Sequence, residues 1–522
     1  MNKSKLLDGV IKGTLSLSLA ALITKILGVV YKIPLSYLLG DEGMGYFNSA
    51  YTLYGFFFIL SSAGIPKAVT MIITESGNES GDKQGEKTYR YLLLISLLLG
   101  VLLTAIFVIF APVFSHLFGS KKTLPSLLSI APSILFVALG GVVRGYLNAC
   151  LKLFPIAVSQ LIEGMSKLCL GLLFAFLGYR LMLPLELISA LTILGITLGS
   201  LFSLCYMYKC TKNKIVGEKT GQSGNINKRS ILAKLFKIAF PITLSSAIIS
   251  IGSVLDLGII MNRLTLLGYE ESRAISLYGN YTTLAVPMLN LVVSILTPIS
   301  IAYLPRLVTF RAGGNKTKFE NELVRPLSVT AFIAAPCAFA YFYYSFDLLD
   351  ILFDSSSAAI GAELLMALAP SAFLLPILTL LNTALEALGR IKASVFSLVV
   401  ATVFKVVFSF FSVGIPEIGI MGVPLGTSIS YLLGTFISLI VLYSSGIKVK
   451  LLSSVFIPLL AAFMSFFVPY CIFYVKRSIE GGTLAVIMIC ALSSIFYLFT
   501  CFLFKIFFKK AKNTVKIAQS EG

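Results

Sequence analysis

Several polar side chains able to do chemistry stand inside stretches of this chain that are otherwise apolar. Lys25 and Lys32 are seven residues apart, two helical turns, so they share one helix face. Gly28 lies on the same stripe and permits close backbone approach, while Pro34 is expected to bend the helix nearby. Arg144 and Asn148 share another face, where a guanidinium can hold a phosphate through two parallel hydrogen bonds. Glu163 and Lys167 are four apart with the acid first, the order that favours an ion pair, so Lys167 is either a ligand or neutralised within its own helix. Lys405 has no acid at the matching place, which is Ala401. Asp256 and Glu386 read as counter-ions or gate residues. A Lys or Arg at the centre of a bilayer helix costs about 2.5–3.5 kcal/mol on insertion scales, so each should face a polar interior. With Lys67, six cations face three acids in these stretches; if every acid is paired, about three positive charges remain. That balance suits a diphosphate group and not a cationic drug or a sodium ion.

The elements that must position these groups are membrane helices. Apolar residues make up 57% of the 522, charged residues only 12%, and mean hydropathy is +0.93, which excludes a soluble globule. Apolar runs of about 20 residues recur between short polar loops, the pattern of helices crossing a core about 30 Å thick. Fourteen can be counted, from 14–38 and 46–73 to 452–474 and 482–505. The net charge of +19 invites a nucleic-acid reading, which fails once the charges are placed. Of the 42 Lys and Arg, 29 fall in alternate loops on one side and seven on the other. That asymmetry puts both termini in the cytoplasm and the cations near anionic lipid headgroups.

The polar stretch 209–230 is expected to link two lobes, 1–208 and 231–443, leaving 444–522 for two further helices and a basic cytoplasmic tail. The lobes form an internal repeat. At a spacing of 238, Ala131-Pro132-Ser133 falls on Ala369-Pro370-Ser371, Ser159 on Ser397 and Lys167 on Lys405. At a spacing of 232, Asn48 falls on Asn280 and Pro66 on Pro298. Six helices per repeat is an even number, so the lobes should be related by a pseudo-two-fold along the membrane normal, with a cavity between parallel bundles. The expected class is an all-α polytopic transporter.

Nothing enzymatic stands out: the one histidine, His116, is placed in an external loop, and there is no Gly-rich phosphate loop. No cofactor or metal site is expected. Asp347, Asp350 and Asp354, about one turn apart, read as a solvated loop. All eight cysteines lie in or beside apolar runs without metal spacing and read as small packing residues.

Local motifs resemble the multidrug/oligosaccharidyl-lipid/polysaccharide exporter superfamily, in the branch of the stage V sporulation protein B and MurJ lipid II flippase families. They include Thr24-Lys25-Ile26-Leu27-Gly28 with Tyr31-Lys32-Ile33-Pro34-Leu35, and Ser62-Ala63-Gly64-Ile65-Pro66-Lys67-Ala68. Arg144-Gly145-Tyr146-Leu147-Asn148-Ala149, Leu388-Gly389-Arg390 and Gly422-Val423-Pro424-Leu425-Gly426-Thr427 add to them. The resemblance implies fourteen helices and outward flipping of an undecaprenyl-diphosphate-linked saccharide, with Lys25 in the cavity and the last two helices beside the lipid tail. It also implies a second Arg at Tyr31, from which this chain departs; Lys32 is the candidate replacement, one residue and about 100° further round the helix. Lys25, Lys32, Arg144, Asn148, Lys167 and Lys405 are the expected substrate contacts. The competing functions are a cation-coupled multidrug antiporter of the same superfamily and a non-transporting scaffold that recruits cell-wall synthases.

Overall fold

The apolar runs fold as helices, and no strand occurs among the described residues. The structure, a computed structural model, describes residues 3–76, 83–117, 120–215, 228–312, 316–476 and 488–501. The helices are α1 (Lys3–Ser62), α2 (Ile65–Ser76), α3 (Lys83–Leu117), α4 (Leu124–Ala149), α5 (Leu153–Arg180), α6 (Leu185–Ile215), α7 (Lys228–Leu266) and α8 (Glu271–Asn280). There follow α9 (Val286–Ala312), α10 (Lys316–Tyr343), α11 (Ser345–Asp350), α12 (Ser355–Ala387), α13 (Ile391–Ser412), α14 (Gly422–Ser444), α15 (Ile457–Lys476) and a last apolar helix, α16 (Met488–Cys501).

Twelve helical stretches among the described residues are long and apolar enough to cross a membrane. The first, Leu19–Glu75, has 57 residues, about 85 Å of helix against a core of about 30 Å, so it must cross twice. It turns at Gly40, whose φ of 62° and ψ of −176° lie where only glycine sits without strain. Counting that stretch as two and adding α16 accounts for all fourteen expected segments.

The non-helical turn inside α1 lies at Gly40, six residues after Pro34. Two expectations are corrected. The run 46–73 is two helices, broken between Ser62 and Ile65, because Pro66 has no N–H to donate back to the carbonyl of Ser62. His116 stands in the last turn of α3 and not in a loop. Of the expected linker, α6 reaches Ile215 and α7 begins at Lys228; residues 216–227 lie outside the described residues, as does the basic tail from 502.

The helices divide into two compact units, one holding residues up to Thr283 together with Val413–Ile420, the other Leu284–Ser412 and the chain from Met421. In the first unit α1 packs on α4, α5 and α6. Its fit to α5 depends on Gly171, where a Cβ would stand 2.6 Å from the Tyr31 hydroxyl. The same stretch of α5 meets α6 backbone to backbone: a Cβ on Gly195 would lie 2.5 Å from the amide nitrogen of Gly171. Close approach through small residues is the usual way membrane helices gain packing without a hydrophobic drive. In the second unit the same service is done by paired serines, with Ser371 and Ser428 hydroxyls 2.9 Å apart between α12 and α14.

Candidate functional site

The first unit contains a cavity of about 470 Å³, within the roughly 300–1,000 Å³ span of small-molecule sites. Its wall is built from α1, α4, α5 and α6, and its charged residues are Lys25, Arg144, Glu163 and Lys167. Three cations and one carboxylate leave a surplus of two positive charges. Lys25 is exposed to the cavity from α1. The α1–α5 wall is fixed by Thr24, whose hydroxyl donates to the carbonyls of Ala20 at 2.8 Å and Gln160 at 3.4 Å.

Glu163 does not pair with the lysine four residues along its own helix. It accepts from Arg144 Nη2 at 3.2 Å, an α4–α5 bridge with both side chains about one-fifth to one-quarter exposed. Among the described residues Lys167 has no carboxylate within ion-pair distance; its ammonium lies over the ring of Tyr51, 4.4 Å from the centroid, and 5.4 Å from that of Tyr31. A cation on an aromatic face gains about 0.5–1 kcal/mol when exposed and about 2 when desolvated. A hydrogen bond to a charged group contributes about 1.5–3 kcal/mol. An entering anion therefore competes well for Lys167.

Four buried polar atoms of the lining residues have no hydrogen-bond partner among the described residues: Tyr31 Oη, Tyr54 Oη, Gln160 Oε1 and Arg144 Nε. Such orphans are rare in native interiors, and each is a group that water or a ligand must satisfy.

The other expected contacts are placed elsewhere. Lys32 does not line the cavity. Its ammonium donates to the carbonyl of Thr282 at 2.7 Å and to Asn48 Oδ1 at 3.2 Å, while Asn48 Nδ2 donates to Thr283 Oγ1 at 2.7 Å. Thr282 sits in a π-helical turn, Tyr281–Ala285, whose geometry offers carbonyls to outside donors. Asn148 is half-buried near the end of α4 and also stands outside the lining. Lys405 is half-buried on α13 of the second unit. Asp256 on α7 is 4% exposed. Glu386, in the last turn of α12, is exposed and accepts from the Ser394 hydroxyl at 3.3 Å.

Residue-type reasoning overlooked Tyr31, Tyr51, Tyr54 and Gln160, all in the wall. Tyrosines in an apolar run look like core; the signal for Tyr31 was the resemblance, which implies an Arg at that position, and for Tyr51 and Tyr54 it was helical spacing, the two sharing a face with Gly55 close by. No group of three His, Cys, Asp or Glu among the described residues is placed to hold a metal ion. Asp354 spends its carboxylate as the N-cap of α12, accepting from the Ser356 amide at 3.2 Å and from the Ser356 hydroxyl. Those two bonds hold its carboxyl below the ordinary carboxylate range.

A polytopic helical membrane protein with a cationic chamber inside one helical unit is the class these observations define. The family model for polysaccharide biosynthesis proteins matches residues 10–310, more than half of the chain, and the chain belongs to that family. The MatE family model matches 282–411. Stage V sporulation protein B of Bacillus subtilis (strain 168) is 25% identical over 420 residues, 80% of this chain and 80% of that protein. The lipid II flippase MurJ of the same strain is 22% identical over 443 residues, 81% of this chain and 80% of that one. Among solved structures, a lipid II flippase MurJ in its inward closed conformation gives a TM-score of 0.74 at 17% identity, covering 94% of this chain and 98% of that one. An inward-facing multidrug MATE transporter of the MOP superfamily gives 0.61 at 14% identity, covering 81% and 94%. The structural likenesses are likenesses of fold.

Proposed function

We propose that the protein is a flippase that carries an undecaprenyl-diphosphate-linked saccharide from the inner to the outer leaflet of the plasma membrane by alternating access, for cell-wall or spore-cortex synthesis. The observation that carries this reading is the surplus of two positive charges in a ligand-sized cavity. Lys25, Lys167 and Arg144 take the diphosphate, with Glu163 holding Arg144 until the ligand arrives. Lys405 supplies the equivalent cation of the second repeat, and Asp256 and Glu386 serve as gate or counter-ion groups. Lys32 and Asn148 contribute to the binding region from outside the cavity lining. The lobes are 1–208 and 231–443, and both termini lie in the cytoplasm, where the basic loops meet anionic headgroups. The name of one Bacillus relative, the lipid II flippase, supports the lipid-linked substrate, and that of the other, a stage V sporulation protein, supports a role in sporulation. An inside-negative potential favours moving an anion outward by about 2.3 kcal/mol per charge per 100 mV.

The MatE match over 282–411 favours a second reading, a cation-coupled multidrug antiporter. A chamber with surplus positive charge repels a cationic drug, so the flippase reading is preferred. The test is flipping of undecaprenyl-diphosphate-linked saccharide in proteoliposomes. Lys25→Gln with Lys167→Gln is expected to lower the rate by about 100-fold, two charge-assisted contacts being lost. Full rate in the double variant, or efflux of cationic dyes in its place, overturns the reading.

A further inference from the structure

Four aromatic residues line the cavity, Tyr31, Tyr51, Tyr54 and Phe58. Tyr31 and Tyr54 are buried and Phe58 is half-buried; only Tyr51 is exposed, at 37%. Its ring is held in place by neighbours on α1, stacked on Phe47 at 6.0 Å with an interplanar angle of 11° and tilted against Tyr54 at 6.0 Å. One turn further along, Gly55 also lines the cavity, and a Cβ built on it would meet nothing within 4 Å. A fixed flat ring thus stands beside a shelf of open space, and a cation occupies the ring's neighbourhood with no acid among the described residues within ion-pair distance.

We propose that Tyr51 and the Gly55 shelf form the seat for the first sugar ring of a diphospho-sugar headgroup, a seat freed when the diphosphate draws Lys167 off the tyrosine. The inference rests on the function proposed above and adds to it where the sugar lies. The electron-rich face of an aromatic ring attracts positive edges. In the empty cavity that edge is the Lys167 ammonium; in the loaded one it is the C–H face of a pyranose. The two uses exclude each other, so the phosphates must engage Lys167 before the sugar can settle. Recognition then requires both parts of the headgroup on one molecule, and a bare prenyl diphosphate leaves the shelf empty.

The test compares equilibrium binding of the full chain, in detergent micelles, to undecaprenyl diphosphate and to undecaprenyl diphosphate carrying one hexose. Tyr51→Leu is expected to weaken binding of the hexose-bearing lipid about tenfold, the scale of one aromatic contact. It leaves the bare lipid bound at least as tightly, since Lys167 has lost its seat. Tyr51→Phe, which keeps the ring, is expected to bind both lipids as the natural chain does. Gly55→Val, whose Cβ meets nothing within 4 Å, puts a side chain into the shelf and is expected to weaken the hexose-bearing lipid alone. If Tyr51→Leu and Gly55→Val weaken both lipids equally, or neither, while the natural chain binds both, the sugar seat is overturned and the flippase reading stands. A natural chain that binds neither lipid overturns that reading, and the seat with it.

Discussion

The two repeats place the same register of residues on the same pair of helices and fill it with opposite chemistry. In the first, Arg144 on α4 and Glu163 on α5 make a 3.2 Å ion pair in the wall of a cavity. Shifted by 238, those positions are Asn382 on α12 and Ala401 on α13. Asn382 is 5% exposed and its Oδ1 accepts from the hydroxyls of Ser397 at 3.0 Å and Ser438 at 2.9 Å. Ser397 is itself the repeat mate of Ser159, and both are fully buried. A charged node beside open space has become a closed neutral knot. The difference teaches that helix–helix register can be kept while a node changes from lining an open cavity to closing the bundle.

The comparison is sharpest in paired substitutions. Arg144→Ala halves the cavity's surplus charge and leaves Glu163 unpaired, so affinity for undecaprenyl diphosphate is expected to fall by about 30-fold, near 2 kcal/mol. Asn382→Ala is expected to leave that affinity alone and to lower stability by about 2 kcal/mol, through a small void and the stranded Ser438 hydroxyl, Ser397 keeping the Ser394 carbonyl as its acceptor, read as thermal unfolding in micelles. Equal effects of the two variants on lipid binding would erase the distinction between the nodes. Glu163→Gln frees Arg144 for the ligand and is expected to tighten anion binding about fivefold, the scale of a partly exposed pair. The smallest effect belongs to Asp354. Its carboxyl titrates below the usual range, so its cap supports α12 above the unfolded-state value and loses that support as pH falls through the folded one. Hydrogen-exchange protection in the first turn of α12, taken relative to the intrinsic rate at each pH, should fall on acidification, and Asp354→Ala should remove that change in protection.

Much of the fold was readable because lipid imposes length and polarity on every crossing. The break after Ser62 was missed: Gly64 and Pro66 mark it, but an apolar run that continues past them hides it. The cations were legible as cations out of place, and three of the expected contacts, Lys25, Arg144 and Lys167, do meet in one wall. Their partners were not. Spacing within a helix proposed Lys167 for Glu163; the partner is Arg144, brought by another helix. The shorter of the two acceptor contacts of Lys32 is to a backbone carbonyl in a π turn, which no side-chain pattern encodes. The resting place of Lys167 is a pair of ring faces that sequence alone would assign to core.

That resting place bears on turnover. A carrier must release its cargo as readily as it captures it, and a lysine locked to a carboxylate would yield slowly to an arriving anion and reclaim its acid with force enough to bias the cycle. Parked on tyrosine faces, the ammonium is kept off the lipid at small energetic depth. On the flippase reading, the chamber is then emptied and refilled without a deep trap at either end of the stroke.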